Sequence, residues 1–394
     1  MSLLNITPAE VTLVASRLHR STRRLYAQVA FVLARLGIAD TGSPTAVALI
    51  ALYVTGLILL DARQTQTRVT SFLPARCHDA LNRLLRLMPL STRGLMALAI
   101  TWVNRQELGY LCLDDVVVEK AWAKKLPWAG WTYSFAKKRT VYGLHVVVLL
   151  WCGDSGHWRI PIAFRLWRPK RSVAKHDYRT KLQLSEVMLK EVVASGLKCK
   201  YIVFDTAYTA GWFVSLAARL GLVWQGTLSP RTNVVSRGLK QAVSKLAPTL
   251  RLKWRKQLNL RAIALQVRIP KIGTIRLVVT RNRHGNYEYI VTNDLTADLT
   301  EIVLRKRSRW SIETIFRDSK QFAGLEACQC WADQAMVRHV GLVLLTFVVL
   351  QMLRQHKHET LGKVKERWQL DVIRGHEPQP TPLRASPRHL RLTA

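Results

Sequence analysis

The spacing of apolar positions changes near residue 107 and predicts two kinds of architecture in one chain. Before that point apolar residues recur every three or four positions, which predicts helices, among them 45–60 and 77–87. After it, short apolar runs predict three strands, at 109–113, 141–151 and 158–167. We therefore expect an all-helical domain over 1–106, followed by a mixed α/β part.

Beyond the third strand the pattern alternates between helix and strand. It predicts a helix at 178–195, a strand at 200–204, a helix at 210–220 and a strand at 222–228. The order β-β-β-α-β-α-β is that of the ribonuclease-H-like fold. We assign 107–228 to the first part of such a core, whose last helix would follow an interruption and contain Glu313.

The interruption at 229–293 is basic and has strand-like alternation. It contains fourteen Lys or Arg residues and a single acid, Glu288. A β-rich basic insertion is the expected structure, after which 294–360 would complete the core with C-terminal helices. Residues 361–394 are predicted to be a basic, disordered tail.

Charge then narrows the class of partner. Lys and Arg outnumber Asp and Glu by 60 to 25, which gives a formal net charge of +35 and points to a polyanion. A membrane surface could use this charge, but its spread over most of the chain favours nucleic acid. The all-helical domain over 1–106 has twelve arginines and no lysine, and we expect it to bind DNA. The apolar runs at 46–60 and 341–353 are shorter than the roughly 18 residues of a membrane span.

The cell compartment is predicted from the N-terminus and the cysteines. The N-terminus has no basic segment followed by an apolar one, so we expect no secretory signal. Six cysteines include no C-x2-C pair, which predicts reduced thiols. We expect a cytoplasmic, nucleoid-associated protein with no membrane partner.

One acid lies among cations in the stretch 308–321. Apolar residues at helical spacing mark one face of a helix there, and a neighbouring stripe contains Arg309, Glu313, Arg317 and Lys320. Taken alone, this is also the pattern of a surface helix with ion pairs four residues apart.

Two further acids follow predicted strands. Asp114 and Asp205 should lie at carboxyl ends of strands, where open α/β sheets bind ligands. The first and fourth strands are neighbours in a ribonuclease-H-like sheet, so both aspartates can meet Glu313. Such carboxylates suit two Mg²⁺ or Mn²⁺ ions, which promote phosphoryl transfer. Asp115 remains an alternate ligand. Asp114 or Asp205 could instead cap the loop or helix that follows it.

The stretch 308–321 also resembles a known signature. DDE transposases of bacterial cut-and-paste insertion sequences carry Y-x2-R-x3-E-x6-K around their third catalytic carboxylate, and Arg309, Glu313 and Lys320 match its R, E and K. Lys306 stands where that family has Tyr. The resemblance extends over about 108–331 and includes the blocks L-D-D-V-V-V-E-K and Y-I-V-F-D-T-A-Y.

This resemblance implies a transposase that binds the terminal inverted repeats of its insertion sequence, cleaves DNA and joins the 3′-OH ends to target DNA. It implies three catalytic metal ligands, Asp114, Asp205 and Glu313, and four DNA-binding cations, Arg309, Lys320, Lys306 and Arg317. Pairing two double-stranded DNA ends in one complex implies a homodimer. Two alternatives stay open: a ribonuclease-H-like nuclease that cuts without joining, and a transposase-derived DNA-binding protein without activity.

Overall fold

A mixed α/β sheet with helices packed around it forms the centre of the computed structural model. The described residues are 9–38, 44–61, 64–74, 76–87, 99–100, 103, 107–121, 123, 126, 128–356 and 358–375. This architecture agrees with the ribonuclease-H-like prediction at the level of a mixed sheet with flanking helices.

Twelve strands are described. They are β1 Tyr110–Glu119, β2 Gly130–Ser134, β3 Arg139–Cys152, β4 Arg159–Trp167, β5 Ile202–Phe204, β6 Trp224–Thr227, β7 Asn233–Ser236, β8 Leu239–Ala242, β9 Lys253–Arg255, β10 Leu260–Ile269, β11 Gly273–Arg281 and β12 Tyr287–Thr292.

Twelve α-helices are described as well. They are α1 Ala9–Ser16, α2 Arg20–Arg35, α3 Pro44–Leu59, α4 Gln66–Phe72, α5 His78–Leu87, α6 Lys181–Ala194, α7 Gly211–Arg219, α8 Val243–Leu246, α9 Leu299–Ser308, α10 Trp310–Phe322, α11 Asp333–Met352 and α12 Leu361–Arg374.

The strands are hydrogen-bonded in the order β2-β3-β1-β5-β6-β12-β11-β10-β7-β8, with β4 also paired to β3 and β9 to β10. Strands β1 and β5 are parallel neighbours, which confirms that the first and fourth strands of the predicted core lie side by side. Strand β12 pairs with β6, so the strands of the predicted insertion continue the same sheet.

Strand β1 is longer than predicted. We expected it to end at Leu113, but it continues to Glu119 because β3 pairs with it along its whole length. The parallel pairing with β5 does stop at Leu113, which is opposite Phe204. Asp114 therefore lies inside a strand, at the point where one of its two neighbouring strands ends.

The helices at the two ends of the chain pack against each other. Apolar residues of α3 and α11 belong to one continuous core together with the sheet. The Tyr53 hydroxyl of α3 lies 2.9 Å from Nδ1 of buried His339 in α11. The boundary predicted at residue 106 thus separates segments that share one apolar interior.

Helix α12 departs from the expectation of a disordered tail. Its apolar residues Leu361, Val364 and Trp368 recur at helical spacing and are buried, and Thr360 caps its first turn. The tail beyond residue 375 lies outside the described residues.

Among the described helices, α11 alone is long and apolar enough to cross a membrane, and 89% of its most apolar window is buried inside the protein. This is the behaviour of a core helix, as predicted for the run 341–353. No disulfide joins the six cysteines, which all lie in described residues.

Candidate active site

Asp114 and Asp205 lie next to each other at the end of the parallel strand pair. Because Leu113 is opposite Phe204, the following residue of each strand is an aspartate. Neighbouring strands are about 4.8 Å apart. The Asp205 side chain also caps a single 3-10 turn, Thr206–Tyr208, by accepting a hydrogen bond from the Ala207 amide at 2.9 Å. Asp205 therefore caps this turn and also lies beside Asp114.

Arg309 connects the helical acid to this strand pair. The helix predicted around 308–321 is interrupted at Arg309, which ends α9 and begins α10. One nitrogen of its guanidinium lies 2.7 Å from Asp114 Oδ2, and the other contacts Glu313 Oε1. The structure thus joins Asp114, Arg309 and Glu313 and places Asp205 beside them.

Burial and like charge perturb the two aspartates. Burial, followed by the negative charge of Asp205, raises the pKa of Asp114 to about 7, although Arg309 acts in the opposite direction. Burial also raises the pKa of Asp205, against hydrogen bonds from the following backbone. Two buried, neighbouring carboxylates whose pKa values are raised although an arginine is nearby are typical of a functional site, and such a site can bind cations.

A protein-family model described as DDE superfamily endonuclease matches residues 39–251. The chain belongs to this family. The matched range includes Asp114 and Asp205 and supports a DDE transposase, but it ends before Glu313 and so leaves the Y-R-E-K helix untested. No curated protein matches the chain.

Asp115, the alternate ligand, points away from the other acids of this DDE endonuclease. Side chains alternate along a strand, so Asp114 and Asp115 lie on opposite faces of β1. Asp115 Oδ2 is 2.9 Å from His145 Nδ1 and 2.7 Å from Lys181 Nζ. Burial acts to raise the pKa of Asp115, but His145 and Lys181 outweigh it and hold the pKa below its usual value.

The other predicted DNA-binding cations have acidic partners of their own. Lys320 Nζ donates to the Val117 carbonyl at 2.6 Å and lies 3.1 Å from Glu326. Lys306 pairs with Glu288 at 2.5 Å, and Arg317 pairs with Asp318 at 3.1 Å. Of the four predicted cations, only Arg309 contacts a predicted ligand within the described part of the chain.

Three residues near the acids were missed by sequence reasoning, namely His145, Lys181 and Tyr208. Tyr208 belongs to the Y-I-V-F-D-T-A-Y block, so its position three residues after Asp205 was visible. His145 and Lys181 lie on β3 and at the start of α6, and nothing in their local sequence relates them to Asp115. Only the packing of α6 on β3 brings them together.

The donor set fits a hard divalent cation, which DDE nucleases generally use. Asp114, Asp205 and Glu313 supply carboxylate oxygens, the ligands that Mg²⁺ and Mn²⁺ prefer. Over the described residues, no three His, Cys, Asp or Glu side chains are yet close enough to hold a metal ion. Arg309 lies between Asp114 and Glu313, so their approach to one cation requires the guanidinium to leave.

Proposed function

We propose that this DDE endonuclease is a transposase that binds the terminal inverted repeats of its insertion sequence, cleaves DNA and transfers the 3′-OH ends into target DNA. The observation that carries the proposal is the meeting of Asp114, Arg309 and Glu313 beside Asp205. The spacing of Arg309, Glu313 and Lys320 supports placing the chain in the Y-R-E-K group.

In this proposal Asp114, Asp205 and Glu313 would hold two Mg²⁺ or Mn²⁺ ions when DNA is bound. Such ions activate the attacking oxygen and stabilise the leaving oxygen of phosphoryl transfer. Arg309 then moves from the carboxylates to a DNA phosphate, for which its planar fork of N–H donors is suited. Asp115 remains the alternate ligand, although its contacts with His145 and Lys181 favour Asp114.

Binding of DNA is assigned to the basic surfaces around the acids. Arg317 has a side chain 56% exposed, so it can turn readily from Asp318 to a phosphate. Lys306 and Lys320 must likewise give up Glu288 and Glu326. The helical N-terminal segment and the basic strands of 229–293 are proposed to bind flanking duplex. We propose that a homodimer holds two DNA ends in one complex. Because the substrate is DNA, we also propose that the protein acts at the nucleoid in the cytoplasm.

The test compares wild type with Glu313→Gln on DNA that carries the ends of the source element, in Mg²⁺. The substitution keeps the size of the side chain and removes a ligand charge. We expect cleavage and joining to be lost while DNA binding is retained. Glu301→Gln is the matched control, because Glu301 lies on the preceding helix, has a side chain 52% exposed and pairs with Arg305 instead of Arg309.

Each other result selects a different conclusion. Cleavage by wild type without joined products would favour the nuclease that cuts without strand transfer. DNA binding without any cleavage of the element's own ends would favour a transposase-derived binding protein. Equal activity of wild type and Glu313→Gln would remove Glu313 from the active site.

A further inference from the structure

A polar cluster lies on the face of β1 opposite Asp114. Its centre is Asp115, whose Oδ2 contacts His145 and Lys181 and whose Oδ1 accepts a hydrogen bond from the Tyr208 hydroxyl at 3.1 Å. Thr132 Oγ1 lies 3.0 Å from the other ring nitrogen of His145. Strands β1, β2 and β3, helix α6 and the segment after β5 each contribute one residue to this cluster.

Tyr208 connects the cluster to Asp205. It is 1% exposed, and its ring packs against Phe213 of α7. The backbone from Asp205 to Tyr208 is a single 3-10 turn, closed when the Asp205 side chain accepts the Ala207 amide. Thr209 Oγ1 donates to the Asp205 carbonyl at 2.9 Å, which ties the end of the turn to its beginning. A hydrogen bond to the Tyr208 hydroxyl therefore also restrains the position of Asp205.

The Tyr208–Asp115 bond crosses from this turn to β1. It starts three residues after Asp205 and ends on the residue adjacent to Asp114. Beyond Leu113 and Phe204 the backbones of β1 and β5 no longer pair, so the main chain alone does not hold the two aspartates together. A side-chain bond at this place can replace the missing backbone pairing.

The charges around Asp115 suit an anchor. Its carboxylate is largely buried, and from the opposite face of β1 its negative charge still acts on Asp114 and Asp205, so leaving that charge unpaired would add to their repulsion. Lys181 at 2.7 Å and His145 at 2.9 Å satisfy its second oxygen. Lys181 itself is held at the start of α6, whose first turn has a capping box formed by Thr180 and Gln183.

We propose that Tyr208 and Asp115 form a brace that sets the separation of Asp114 and Asp205 and so prepares them to share a divalent cation. Both are positioning residues, and they act through the aspartates without contacting the ion or the DNA. The inference rests on the proposed function, because it assigns a purpose to the two aspartates as ligands. It also gives Asp115 a role other than that of the alternate ligand.

The first test is Tyr208→Phe, which removes only the hydroxyl. The loss of a group bonded directly to a metal ligand typically changes metal affinity by about 10- to 100-fold. Tyr208 acts one residue removed from the ligands, which places its effect at the lower end of this range. We expect the Mn²⁺ dissociation constant of the protein–DNA complex, measured by electron paramagnetic resonance, to rise about tenfold or more. DNA affinity measured without divalent cations should stay unchanged, and excess Mn²⁺ should restore cleavage.

Tyr142→Phe is the matched control. The Tyr142 hydroxyl is also buried, and it donates to the Leu126 carbonyl at 3.0 Å instead of to an acid of the site. Thermal unfolding of both variants shows how much stability each hydroxyl contributes. Equal changes in Mn²⁺ affinity for the two variants would overturn the brace, since they would report only a loss of general stability.

Substitutions of Asp115 separate a brace from a ligand. Asp115→Asn keeps an oxygen that can accept the hydrogen bond from the Tyr208 hydroxyl, so we expect a small change in Mn²⁺ affinity. Asp115→Ala also removes the partner of His145 and Lys181, so it should weaken Mn²⁺ binding at least as much as Tyr208→Phe. Adding Tyr208→Phe to Asp115→Ala should cause no further loss, because the partner of the hydroxyl is already gone. An effect of Asp115→Asn as severe as that of Asp114→Asn would make Asp115 a ligand and overturn the brace.

The Mn²⁺ affinities of the ligand variants distinguish a failure of the brace from a failure of the proposed function. If the Glu313→Gln and Asp114→Asn variants bind Mn²⁺ as tightly as wild type does, the proposed metal site fails and the brace fails with it. If both of those changes abolish Mn²⁺ binding while Tyr208→Phe does not weaken it, the metal site stands and the brace alone is overturned.

Discussion

Arg309 is the residue that determines the state of the candidate site. Its guanidinium contacts both Asp114 and Glu313, and its side chain is only 21% exposed. A cation shared by these two acids must replace it. A DNA phosphate offers the guanidinium a second strong partner. DNA and metal should therefore assist each other's binding, because DNA removes the group that competes with the metal.

Replacing Arg309 with Gln should remove the coupling between DNA binding and Mn²⁺ binding. We expect Mn²⁺ to bind the DNA-free variant more tightly than DNA-free wild type, by about fivefold or more, which is within the usual range of coupling between sites. DNA affinity should fall at the same time. Isothermal titration with Mn²⁺, with and without DNA, measures both effects.

Arg317→Gln provides the comparison for this prediction. Arg317 lies two turns further along α10 and pairs with Asp318, so its loss should weaken DNA binding without changing the Mn²⁺ affinity of the free protein. Weaker Mn²⁺ binding by Arg309→Gln would show that the guanidinium supports the acids instead of competing with the metal.

At the scale of elements, the end of α10 is joined to α3 and α12 by a buried amine. Lys365 of α12 donates to the Leu60 carbonyl at 2.5 Å, just after α3, and to the Phe322 carbonyl at 2.9 Å, at the end of α10. Gln64 donates to the same two carbonyls. Helix α10 carries Glu313, so its far end is held by helices from both ends of the chain.

The pH dependence of stability should reveal Lys365. Burial lowers its pKa from 10.5 to about 8. Between these values the unfolded chain binds the proton and the native protein does not, so the free energy of unfolding rises with pH across this window. Relative to Lys365→Met, wild type should gain at most about 3 kcal/mol between about pH 8 and pH 10.5.

Denaturant unfolding at a series of pH values measures this difference. Lys363→Met is the control, because Lys363 is exposed on the same helix. Parallel stability curves for wild type and Lys365→Met would mean that the amine keeps an ordinary pKa and reaches water.

At the scale of the whole molecule, positive charge is the dominant feature. The net charge is +35, and strand β9 with the residue after it presents Lys253, Arg255 and Lys256 on an exposed edge. Trp254 between them is 49% exposed and lies near Arg283, with 5.9 Å from the guanidinium carbon to the ring centre. This surface is assigned to DNA in the proposed function.

Changing Lys253, Arg255 and Lys256 together to Gln should weaken DNA binding and its dependence on salt. If all three contact phosphates, the slope of log K against log salt falls in magnitude by about 2 to 3. Fluorescence anisotropy over a series of salt concentrations gives the slope. The same change at three other exposed cations, Lys190, Lys198 and Arg219, controls for net charge. Equal losses from the two sets would show that only total charge matters.

The sequence alone determined most of the central elements and the chemical groups that they carry. Apolar spacing was sufficient for β1, β3, β4, α6, β5, α7 and β6 in this order, because the helical and strand periods are local properties, but it missed the short strand β2. Aspartates directly after Leu113 and Phe204 and an Arg four residues before Glu313 were likewise visible. The charge indicated a polyanionic partner.

Tertiary structure decided what lies between and around these groups. Pairing with β3 carries β1 beyond Asp114, and the alternation of that strand turns Asp115 towards His145 and Lys181. Packing places Arg309 between two acids and commits Lys320 to Val117 and Glu326. It also unites the terminal helices in one core. These outcomes depend on contacts between residues far apart in sequence, which no local spacing can specify.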